Sequence, residues 1–78
     1  MNKMLLKIVW NSGSKSFIET LYMYVGKAHL HYLDPEAQFL IEENTQEGYP
    51  KTLMKTVIDF KDTSSISING KIIYKDKK

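Results

Sequence analysis

The chain contains no cysteine, which removes both a disulfide framework and a cysteine-ligated zinc centre from consideration. Arginine is absent too, so all eleven basic residues are lysine. Without the planar guanidinium fork there is no bidentate grip on guanine edges, which argues against base-specific nucleic-acid readout. The formal net charge of +2 is too small to announce a polyanion binder. No apolar run is long enough to cross a bilayer. The opening MNKMLLKIVW is broken by Lys3 and Lys7 and is too short for a signal peptide, so the expected location is the cytoplasm, with no membrane partner.

What is present suits one small globular domain spanning residues 1–78, with a tail over 76–78 expected to fray. Hydrophobic residues make up 42% and aromatics 12%, ordinary values for a packed chain. Charge is unevenly placed. From Ala28 to Pro50 there is no lysine, whereas Asp34, Glu36, Glu42, Glu43 and Glu47 all fall there.

The most informative stretch is Thr20 to Glu43. A two-residue type II′ turn at Gly26-Lys27 predicts a hairpin with Val25 opposite Ala28, Met23 opposite Leu30 and Leu21 opposite Tyr32. Because side chains alternate along a strand, the other face then carries Tyr24 with His29 and Tyr22 with His31. A type I turn at Asp34-Pro35-Glu36-Ala37 predicts a third strand, with Phe39 opposite Tyr32 and Ile41 opposite Leu30. One face of this unit is apolar and the other is an alternation of tyrosine and histidine. The rival reading is a helix over 17–33, opened by a Ser16/Glu19 capping box. That helix would bury Gly26 in its interior, and the Thr, Tyr and Val residues of the run favour strands.

Around this unit the same alternation recurs. Met4, Leu6, Ile8 and Trp10 point one way, while Lys3, Leu5, Lys7 and Val9 point the other, with the lysines read as guards against edge pairing. Asn11 to Ser14 is a loop, and its single glycine excludes a phosphate-cradling P-loop. Thr52 to Phe60 alternates again, with Met54, Ile58 and Phe60 on one face and Lys55 and Asp59 on the other. Asn69-Gly70 is the strongest hairpin signal in the chain and sets Ser67 opposite Ile72, Ile66 opposite Ile73 and Ser65 opposite Tyr74.

The predicted fold class is therefore mainly β: an antiparallel meander of about six to seven strands, curled into a small barrel or a two-layer sandwich. The alternative is an α+β fold with the helix over 17–33. Val57 to Tyr74, VIDFKDTSSISINGKIIY, is loosely similar to consecutive strands of pleckstrin-homology-like domains. The pattern suits any meander, and no function is carried over from it.

Catalytic chemistry has little to stand on. The serines lie in turns and strands rather than in a Gly-x-Ser-x-Gly elbow, and Glu42 and Glu43 point to opposite faces of a strand. His29-Leu30-His31 puts two imidazoles on one face, with Glu42 opposite His29 as a third ligand. The bland reading of that pattern, two solvent-facing histidines packed between tyrosines, carries more weight than a metal site. The expectation is a non-enzyme without metal or cofactor.

The candidate binding residues are Tyr22, Tyr24, His29, His31, Leu40 and Glu42. Tyrosine gives large contact area at low entropy cost, so such a face suits a protein partner, and the chain reads as an adaptor or inhibitor. Small size with no chemistry also suits a modulator encoded by a virus or mobile element. The alternative function is stacking of a nucleotide or single-stranded nucleic acid on Tyr22 and Tyr24, with Lys7, Lys15 or Lys27 supplying charge. A third use of the face is as the interface of a homo-oligomer.

Overall fold

The computed structural model describes residues 3–38 and 55–77. Among these residues seven strands form two antiparallel sheets. β1 (Met4–Trp10), β2 (Lys15–Thr20), β6 (Thr63–Ile68) and β7 (Lys71–Lys75) make a four-stranded sheet in the order β2-β1-β6-β7. β3 (Met23–Val25), β4 (His29–Leu33) and β5 (Lys55–Asp59) make a three-stranded sheet in the order β3-β4-β5. The chain is mainly β, as its alternation predicts. It is neither a continuous meander nor a closed barrel, because β1 pairs with the distant β6 and the strands divide between two sheets. The helix over 17–33 is likewise replaced by strands, the conformation that the Thr, Tyr and Val residues favour.

Both sheets feed one core. Leu6, Ile8 and Ile66 from the larger sheet and Leu30, Tyr32 and Ile58 from the smaller one form a single buried cluster, with Met23, Ile68 and Tyr74 packed at its margin. All but Tyr74 sit on the face that period-two alternation assigns inward; Tyr74, expected opposite Ser65, is turned inward by an irregularity in β7 that sets it opposite Ile66. The outward positions of β1 are Leu5, Lys7 and Val9. The lysine there does not guard an edge, since β1 is central and paired on both sides.

The chain changes sheet at two buried threonines. Thr20, fully buried at the end of β2, shares its hydroxyl proton between the carbonyls of Tyr22 (3.0 Å) and Leu33 (3.2 Å). Its oxygen also accepts from the Tyr22 N–H at 3.3 Å. The return passes through a 3₁₀ turn, Phe60–Asp62, to the equally buried Thr63, whose hydroxyl donates to the Phe60 carbonyl at 2.9 Å. A threonine fits such a crossing because it is small enough to bury and carries its own partner for backbone groups that leave one ladder before joining the next.

The turns differ from expectation in instructive ways. The first reversal falls on Lys27-Ala28, so Val25 meets Leu30, Tyr24 meets His31 and Met23 meets Tyr32. Gly26 does not take the positive φ of a type II′ turn; a side chain there would approach the His29 carbonyl oxygen to 3.3 Å. Sliding the register by two leaves every residue on its predicted face.

Asp34-Pro35 opens a helix over 35–38 instead of a type I turn. Asp34 accepts from the Glu36 N–H at 2.8 Å as an N-cap, Pro35 takes the first helical position, and the Gln38 N–H donates to the Asp34 carbonyl at 2.8 Å. The place beside β4 predicted for Phe39 and Ile41 is filled by β5, with Ile58 opposite Leu30 and Thr56 opposite Tyr32. Phe39 and Ile41 themselves lie outside the described residues.

Asn69 and Gly70 both have positive φ, 51° and 86°, as a type I′ turn requires. Ser67 pairs with Ile72 as predicted, but a register shift beyond Ser67 sets Ile66 opposite Tyr74 and Ser65 opposite Lys75. The extra residue in β7 is a bulge. Near the end of the chain, the Asp76 N–H donates to the Ser64 carbonyl at 2.8 Å.

Candidate functional site

The outer face of the three-stranded sheet is built by register alone. Tyr24, His31 and Val57 lie side by side across β3, β4 and β5. One step along β4, His29 stands beside Asp59, and one step the other way Leu33 stands beside Lys55. Tyr24 is 59% exposed and Val57 52%, with Tyr22 also open to solvent and His31 half-buried.

The rings form a connected ribbon. Tyr24 and His31 have centroids 5.9 Å apart at an interplanar angle of 56°, and His31 and His29 are 6.3 Å apart at 61°, edge to face. Such tilted geometry sets the edge of one ring against the face of the next. At the far end the His29 Nε2 lies 3.5 Å from the Asp59 Oδ2. At the near end the Lys55 ammonium sits 5.2 Å from the centre of the Tyr22 ring, so the two side chains straddle the buried Leu33. The face thus offers aromatic area at its centre, an acid at one end and a lysine at the other.

Four of the six sequence-derived binding residues, Tyr22, Tyr24, His29 and His31, are brought together on this face. Leu40 and Glu42 lie outside the described residues. The position opposite His29 that Glu42 was to occupy belongs to Asp59. Val57, Lys55 and Asp59 complete the face and were missed as members of it. Alternation within Lys55–Asp59 already placed Lys55 and Asp59 together on one side; the missing piece was which strand this run pairs with. Lys7 and Lys15, expected to supply charge beside the tyrosines, belong to the other sheet.

The His29–Asp59 pair orients one imidazole, as in the base half of a nucleophilic triad. Among the described residues neither imidazole is hydrogen-bonded to a hydroxyl, and no group of three His, Cys, Asp or Glu side chains is placed to hold a metal ion. No described helix is long and apolar enough to cross a membrane. Comparison of the chain with known protein families, with curated proteins and with solved structures finds no match to any of them.

Proposed function

We propose that this is a small non-enzymatic binding module that acts by occupying the surface of a protein partner, as an adaptor or inhibitor does, through the Tyr22/Tyr24/His29/His31 face. The observation that carries the reading is the exposure of Tyr24, Tyr22 and Val57 together on a sheet whose opposite side is anchored in the core. Exposed aromatic area on a pre-ordered backbone pays little entropy on binding, and tyrosine adds a hydroxyl that can meet a polar rim. Asp59 at one end and Lys55 at the other give the face a direction, so a complementary partner is held in one orientation.

Affinity capture with the wild type and with a Tyr22→Ala/Tyr24→Ala variant, alongside light scattering, tests the reading. The expected result is a protein retained by the wild type and lost by a variant whose circular dichroism is unchanged. Equal retention by both, or a change only in the solution mass, would place the binding elsewhere or make this face a subunit interface.

A further inference from the structure

The other sheet has an outer face of quite different chemistry. Reading across β2, β1, β6 and β7, one row is Phe17, Lys7, Ser67 and Ile72, and the next is Lys15, Val9, Ser65 and Lys75. Residues paired across a ladder share a face, so these two rows form one surface. Phe17 is 64% exposed and Ile72 59%, and the Lys7 ammonium lies 6.0 Å from the centre of the Phe17 ring. Lys15 and Lys75 sit on the two outer strands, roughly 14 Å apart at the usual strand spacing. Among the described residues, Glu19 is the one acid that the register brings onto this face, beside Leu5 and beyond Phe17. Among the described residues none of Lys7, Lys15 and Lys75 is held by a carboxylate.

From this arrangement we propose that the outer face of the four-stranded sheet binds single-stranded nucleic acid, without sequence preference. Phe17 supplies a platform on which a base stacks once the flexible Lys7 side chain, whose ammonium lies over the ring, swings aside to meet the adjoining phosphate, and Lys15 and Lys75 bound the track. The chain's lack of arginine fits a site that reads charge and ring faces rather than base edges. Ser65 and Ser67 at the middle of the face favour a polar strand over a lipid surface, where their hydroxyls would lose water without gaining partners. Lys7 at the centre disfavours a second copy of the same face, since like charges would meet. This site is separate from the Tyr/His face and does not rest on it.

Fluorescence anisotropy with a labelled oligothymidylate at low salt is the test. The wild type should bind, with the logarithm of affinity falling against the logarithm of salt with a slope of about −2, the value for three phosphate contacts to a single strand. Lys7→Gln should make that slope shallower by about 0.7. Phe17→Ala should weaken binding about tenfold or more. Tyr22→Ala/Tyr24→Ala should leave it unchanged. If Phe17→Ala is poorly folded, Lys15→Gln/Lys75→Gln on the two outer strands should flatten the salt slope in its place. The proposal is overturned by no binding at low salt, by affinity indifferent to both Lys7→Gln and Phe17→Ala, by equal competition from duplex DNA, or by loss of binding in the tyrosine variant alone.

Discussion

Asp59 divides its carboxylate between two tasks: Oδ2 lies 3.5 Å from the His29 Nε2 across the ladder, while Oδ1 accepts the Lys61 N–H at 3.0 Å and caps the 3₁₀ turn. The pair with His29 is partly exposed, at 47% and 31% of the two side chains, and at such surface sites these contacts contribute little. The cap holds the return to the four-stranded sheet. His29→Gln should therefore change stability by less than about 0.5 kcal/mol. Asp59→Ala should cost about 1 kcal/mol, and Asp59→Asn, which keeps an acceptor, much less. Urea unfolding followed by the fluorescence of Trp10, the single tryptophan, measures all three. Equal losses in His29→Gln and Asp59→Ala would show that the pair matters more than the cap.

Thr20 is the corresponding tie at the other crossing. Thr20→Val preserves shape but removes the hydroxyl shared by Tyr22 and Leu33: the Tyr22 N–H and the carbonyl of the buried Leu33 lose that partner, while the Tyr22 carbonyl keeps the Leu33 N–H at 3.1 Å. The expected loss is about 1–3 kcal/mol, with Thr20→Ser recovering most of it. A Thr20→Val variant as stable as the wild type would contradict the junction role.

Asn69 serves two ends at once. It holds the positive φ of the β6–β7 turn, and its Oδ1 accepts from the Leu5 N–H at 2.8 Å while its own N–H donates to the Leu5 carbonyl at 2.8 Å. Asn69→Gly keeps the turn and loses one side-chain bond, so about 1 kcal/mol is expected. Asn69→Ala adds about 1–2 kcal/mol for the left-handed conformation. Denaturation midpoints should rank wild type, glycine, alanine in falling order.

Because Ile66 and Leu30 come from different sheets and share one cluster, the two sheets should unfold together. Leu30→Ala or Ile66→Ala should each cost about 2–5 kcal/mol, a large part of the stability of so small a domain. Trp10 fluorescence and far-ultraviolet circular dichroism should give coincident transitions. Two separated transitions would contradict the shared core.

Which residues face inward was legible in the sequence almost everywhere, because alternation survives any register error of two. Val25 meets Leu30 rather than Ala28, yet Tyr24 and His31 still share the outer face. Which strands pair was not legible where the partners are far apart in the chain. Ile41 and Ile58 satisfy the same pattern beside Leu30, and only the folded topology assigns the place to Ile58. Asp34-Pro35 was ambiguous for a related reason: the same two residues begin a type I turn and cap a helix. The Tyr/His face was therefore visible from Tyr22 to His31, whereas Val57 and Asp59 joined it only through non-local pairing; on the other sheet Phe17 meets Lys7 through the β1–β2 ladder, but Ser67 and Ile72 joined them only through the β1–β6 ladder.

Site-specific photocrosslinking locates the docking surface on the folded protein. A photoreactive phenylalanine analogue is placed at Val57, in the Tyr/His face, and in a separate variant at Ile72, on the outer face of the other sheet, and each is irradiated in host cells. The Tyr/His docking surface predicts a discrete protein adduct from position 57 that disappears with Tyr24→Ala, and none of that mass from position 72. An adduct from position 72 alone, or no protein adduct from position 57, would contradict it.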